Sequence, residues 1–168
     1  MKHLLLVLLL VVFAGCSDGD LQIETIDFNS VPVQFCGSKA TTATRVFFKL
    51  SSDEALILEL QSGVLKNKVS DGTLVSTVPG QSKVTYRIFS ADVSKSYFCS
   101  NIPQSSPVVT QEITAAAGEV LVTTIKSPND TTAFQHTIEL SGISLINDKG
   151  ERITDLSINE FGTITTSP

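Results

Sequence analysis

Tryptophan is absent from this chain, methionine occurs only at its start, and histidine occurs twice, as His3 and His136. The scarcity of histidine narrows the chemistry, because any Ser–His–Asp or histidine-ligated metal site in the body of the protein must use His136. No GxSxG, HExxH, GxGxxG or P-loop pattern is present, which removes the signatures of a nucleophile elbow, a zincin, a dinucleotide site and an NTPase. There is no CxxC pair either, so a Cys/His zinc centre lacks ligands and no cofactor is expected. Lys and Arg number 12 against 17 Asp and Glu, with no basic cluster, and this excludes a nucleic-acid partner, since phosphate neutralisation needs concentrated cations. Beyond the first residues no apolar run approaches the roughly 20 residues needed to span a bilayer.

The one long apolar run, Leu4 to Ala14, follows Lys2 and ends in Phe13-Ala14-Gly15-Cys16. Its length suits the core of a secretory signal. Two small residues directly before a cysteine make this segment resemble a bacterial lipoprotein signal, the lipobox, with Phe13 standing where leucine is usual. The resemblance implies that residues 1–15 are removed and that Cys16 carries a diacylglycerol on its thiol and an acyl chain on its new amino group. Each buried CH₂ is worth about 0.8 kcal/mol, so several chains make a durable anchor. Ser17-Asp18-Gly19-Asp20 then forms a short acidic tether reaching at most about 14 Å. Serine after the lipidated cysteine resembles outer-membrane sorting, and the acidic residues resemble the surface-export signal of Bacteroidetes lipoproteins. The expected location is the outer membrane, on its periplasmic or surface-exposed face.

Removing residues 1–15 from the 168 leaves 153, a length that fits one domain, residues 21–168, with a real core. Loss of Lys2 leaves 11 Lys and Arg against 17 acids, a net charge of −6 that favours solubility. Three cysteines are an awkward number for an oxidising compartment. With Cys16 lipidated, Cys36 and Cys99 remain, and one disulfide between them is expected, worth roughly 4 kcal/mol through loop closure. Two free buried thiols are the alternative.

From Leu21 onward the chain shows short alternating runs rich in Val, Ile, Thr and Phe, separated by turn residues. Strands are expected at 21–28, 31–36, 44–50, 55–61, 73–78, 83–90, 95–99, 107–114, 119–126, 134–146, 151–158 and 161–166. Val84, Tyr86 and Ile88 share one face; Phe134, His136, Ile138 and Leu140 share another. Asp71-Gly72, Pro79-Gly80, Ser127 to Asp130 and Asn147 to Gly150 carry turn chemistry, and the last predicts a hairpin over 138–158 with Gly150 at positive φ. Ser51-Ser52-Asp53-Glu54 has capping-box form and could start a helix, but alternation of Leu56, Leu58 and Leu60 favours a strand. The pattern predicts an all-β fold, an antiparallel β-sandwich of immunoglobulin-like or jelly-roll-like kind, with a closed β-barrel as the alternative. Tyr97-Phe98-Cys99 resembles the tyrosine two places before the second immunoglobulin cysteine, although the core tryptophan of that family is missing.

Chemistry is sparse. His136 reads as a core or rim residue. Glu112, Glu119, Glu139, Glu151, Asp155 and Glu160 could supply a glycosidase pair only if two met in a cleft, and the residues around Asp148 lack calcium-loop spacing. Asp130-Thr131-Thr132 resembles the short O-glycosylation motif of exported Bacteroidetes proteins, which marks Thr131 as the acceptor. The functional expectation is a non-catalytic binding or structural module, held to the membrane by lipid and working with an envelope protein partner. Two alternatives follow: a barrel carrying a small apolar ligand among Phe47, Phe48, Phe89 and Phe98, and a hydrolase built on His136.

Overall fold

A computed structural model describes residues 26–150, 152–153 and 160–168. The signal, Cys16, the acidic tether, residues 21–25 of the first expected strand and most of the 151–158 strand lie outside these residues. The all-β reading holds: strands account for 49% of the described residues, and one antiparallel sheet curls as a half-barrel. Its strands are β1 (Gln34–Phe35), β2 (Val46–Ser51), β3 (Glu54–Glu59), β4 (Leu74–Val78), β5 (Lys83–Phe89), β6 (Val109–Lys126), β7 (Phe134–Ile146), β8 (Arg152–Ile153) and β9 (Glu160–Thr166). They pair in the order β1-β2-β3-β5-β6-β7, with β4 also on β6 and both β8 and β9 on β7.

The long strand β6 explains why this is one curled sheet, intermediate between two stacked sheets and a closed barrel. Sequence alternation predicts two strands here, at 107–114 and 119–126. The structure fuses them into 18 residues, because Ala115-Ala116-Ala117-Gly118 contains no turn. That small-residue stretch holds two register irregularities against β7 instead, and such bulges bend and twist a strand. Strand β5 pairs with residues 109–114 of β6 and β4 with residues 118–122, so the two lie end to end along one edge.

Alternation sorts the side chains into two cores. Phe47, Leu56, Leu58, Val84, Tyr86, Ile113, Val122, Ile138 and Phe161 fill the inside of the curl. Phe48, Ala55, Ile57, Phe89 and Val93 form a second cluster on the outer face of β2, β3 and β5. Ala55 to Leu58 are therefore buried on both faces, which is why their unbroken apolar run looked helical.

The outer cluster is covered by α1 (Lys95–Cys99), where a strand was expected. The cause lies in its aromatics. The Tyr97 ring meets Phe89 at 5.1 Å and the adjacent Phe98 stacks on Phe48 at 4.6 Å. Consecutive residues of a strand point to opposite faces, so only a helical turn lets both cover one patch. Cys99 thus joins Cys36 from a helix, with Cα atoms 5.2 Å apart. The disulfide pins α1 to the end of β1 and does not bridge two facing sheets, and the immunoglobulin-like tyrosine is a ring packed under that staple.

Other expectations need smaller adjustments. Only Gln34 and Phe35 of 31–36 are paired. Ile26 and Phe28 bury in the inner core without belonging to a strand. The predicted hairpin is present, with Leu145 opposite Ile153, Gly150 at φ 79° and its N–H donating to the Asn147 carbonyl at 2.9 Å. The two ends of the curled sheet meet along a seam. Ala40 bridges Thr166 of β9 in parallel, and the Val33 side chain occupies the place a Cβ on Gly162 would need.

Candidate functional site

His136 sits in β7 between Thr124 of β6 and Ile164 of β9, on the inner face that its alternation predicted. It is fully buried. Its Nδ1 lies 2.8 Å from the Thr124 hydroxyl, its Nε2 lies 2.8 Å from the Thr166 hydroxyl, and Thr166 donates to Asn67 Oδ1 at 2.7 Å. The proton count follows. Thr166 has one hydroxyl hydrogen and gives it to Asn67, so the imidazole donates through Nε2–H, and the bare Nδ1 accepts from Thr124. Burial pushes the pKa of His136 below its ordinary value and keeps the ring neutral. Both nitrogens are occupied by threonines, leaving no serine or carboxylate on the ring with which to build a hydrolytic triad.

The loop before β4 is held to this centre. Ser70 N–H donates to the Thr124 carbonyl and Thr124 N–H to the Ser70 hydroxyl, both at 3.0 Å. Together with Thr124, the loop lines an open groove of about 200 Å³ whose walls include Lys66, Lys68, Ser70, Gly72 and Leu74. A second groove, of about 380 Å³, follows the seam between Val33, Phe35 and Lys39 on one side and Asp130, Thr163 and Thr165 on the other.

Lys49 is another buried polar residue on the inner face. It is only 2% exposed and points inward from β2, its ammonium 5.7 Å from the centre of the Phe161 ring. Burial lowers its pKa, against the opposing pull of Glu160 and Asp27. It shares the inward parity of Phe47, a signal in Val46-Phe47-Phe48-Lys49-Leu50 that alternation alone exposes.

The remaining candidates disperse. Phe47 belongs to the inner core, whereas Phe48, Phe89 and Phe98 belong to the outer one, so the four do not line a common cavity. Of the six acids, Glu112 pairs with Arg87, while Glu139 and Glu160 are register partners on β7 and β9, both exposed to solvent. Glu119 lies opposite Ser141, and Glu151 and Asp155 fall outside the described residues. Among the described residues no cluster of three or more His, Cys, Asp or Glu could hold a metal ion.

Thr131 is exposed in the turn between β6 and β7. Asp130 Oδ1 accepts from both the N–H and the hydroxyl of Thr132, at 2.9 and 2.6 Å. Those bonds, the hydroxyl first, lower the Asp130 pKa and fix the turn that presents Thr131. The network partners Thr124, Thr166 and Asn67 carried no signal in the sequence, being ordinary polar residues far apart along it. No protein-family model, curated protein or solved structure matches the chain.

Proposed function

We propose that the protein is a lipoprotein of a Gram-negative outer membrane, anchored through acyl chains on Cys16, whose strand-built body is a non-catalytic binding or structural module. The observation that carries this reading is the pairing of the cysteines. The Cys36–Cys99 disulfide takes two of the three, which leaves Cys16 as the one thiol free to accept a lipid, at the end of the apolar run. The disulfide itself fits an extracytoplasmic location. Among the described residues no helix is long and apolar enough to cross a membrane, so attachment by lipid is the economical means of retention.

Ile26, whose side chain is in the inner core, lies ten positions along the chain from Cys16. Their extended limit is about 36 Å, so the body works close to its membrane, on a neighbouring envelope protein. The placement of His136 among threonines supports a body without hydrolytic chemistry, and the division of the phenylalanines between two cores weighs against an apolar-ligand carrier. Metabolic labelling with an alkynyl fatty acid tests the anchor. Wild-type protein should take the label and fractionate with membranes, and Cys16→Ser should do neither; an unlabelled wild type sinks the reading. Proteolysis of intact cells then assigns the face, and crosslinking with affinity capture identifies the neighbour.

A further inference from the structure

We propose that the Thr124–His136–Thr166–Asn67 chain is an acid-operated latch, in which a proton on the imidazole frees the 66–73 loop from β6 and β9 and opens the groove that the loop lines. The direction of every bond in the chain follows from that one neutral tautomer. Thr124 donates to Nδ1, Nε2–H donates to Thr166, and Thr166 donates to Asn67. The only lone pair at which the ring can take a proton is on Nδ1, where the Thr124 hydroxyl already places its hydrogen. Protonation makes Nδ1 a donor, so the Thr124 oxygen must accept from it and the Thr124 hydroxyl hydrogen turns away, losing the acceptor it had.

Among the described residues no carboxylate is bonded to the ring to answer the new cation. From β6 and β9 the ring nitrogens meet only Thr124 and Thr166, and Phe134 and Ile138 flank His136 on its own face of β7. The nearby charges point elsewhere. Lys126 lies over the Phe134 ring and donates to the Thr131 carbonyl, Glu139 is exposed, and Lys66, Lys68 and Asp71 belong to the groove lining. Burial disfavours the charged ring, so the loop-released state, where water reaches the imidazole, binds the proton more tightly. Asn67 ties the loop to β9 through Thr166 and Ser70 ties it to β6 through the Thr124 backbone, while Thr73 adds one hydroxyl contact with Thr123 at 3.2 Å.

Amide exchange of the purified, disulfide-intact protein tests the latch at single residues. Ser70 N–H, bonded to Thr124, reports the loop, and Phe89 N–H, bonded to the Asp53 carbonyl at 2.7 Å, reports the outer core. Linkage predicts that, after correction for intrinsic rates, protection at Ser70 falls tenfold per pH unit below about 6.5 until the folded imidazole itself titrates. Phe89 should stay more protected than Ser70 throughout this range, and His136→Gln should flatten the Ser70 profile. A level Ser70 profile in wild type, equal protection at Ser70 and Phe89, or a slope that survives in His136→Gln each overturns the proposal. Nitrogen shifts of the wild-type imidazole provide a reading that does not depend on the variant folding. They should show Nε2–H at neutral pH, and an Nδ1–H tautomer or an imidazolium there refutes the latch.

Discussion

Replacing both Cys36 and Cys99 with alanine is the sharpest test of how this fold is stabilised. The staple closes a sequence separation of 63 residues, and loop-closure entropy assigns it about 4 kcal/mol at 25 °C. A second contribution depends on α1. That helix has five residues, none fully buried, and no side-chain cap, so its seat rests on the disulfide and on the contacts of Tyr97 and Phe98 with Phe89 and Phe48. If α1 stays seated, the loss should be near the entropic value. If it lifts, re-exposure of rings worth roughly 1.5–3 kcal/mol each enlarges the loss. Domains of this kind have total stabilities of about 5–15 kcal/mol, so either outcome moves the unfolding midpoint far. Urea titration of the oxidised wild type and the double variant gives the difference, and amide exchange across 95–99 tells the two cases apart. A loss below about 1 kcal/mol, with the m-value unchanged, refutes the reasoning.

Other perturbations address the seam and the buried polar groups. Lys49→Met should stabilise the protein at neutral pH by about 1–3 kcal/mol, since it removes a buried charge whose partners Asp27 and Glu160 are exposed. Because burial lowers the folded pKa of Lys49, the unfolded chain holds the extra proton below 10.5; wild type should therefore gain on the variant as pH climbs toward that value, as parallel denaturation curves would record. Gly162→Ala should cost about 2–3 kcal/mol in the same assay, as φ is 144° and the added methyl meets Val33. Thr166→Val should cost about 1–3 kcal/mol by leaving the His136 N–H and Asn67 without their shared hydroxyl, and it should raise exchange at Ser70 at every pH.

Local pattern carried most of the strand assignment, because half-buried antiparallel strands write their faces into period two. The 134–146 strand matches β7 residue for residue, and the inward parity of His136 was legible from Phe134 and Ile138. The failures have local physical causes as well. At 95–99 two adjacent aromatics serve one surface, which alternation cannot encode, and at 115–118 small residues make a bulge where a break was expected. What no window could reveal is who meets His136 and Lys49. Thr166 and Asn67 are 99 positions apart and are brought together by the curl alone.

The Ala40–Thr166 bridge has a consequence for how the molecule comes into being. Position 40 waits for position 166, far along the chain, and β9 supplies Phe161 and Ile164 to the centre of the protein. A chain delivered amino end first therefore cannot finish folding before β9 is delivered. Such long-range closure is slow, and it keeps the apolar interior open until the end. Completion is timed by the arrival of β9, however early the strands before it are in place.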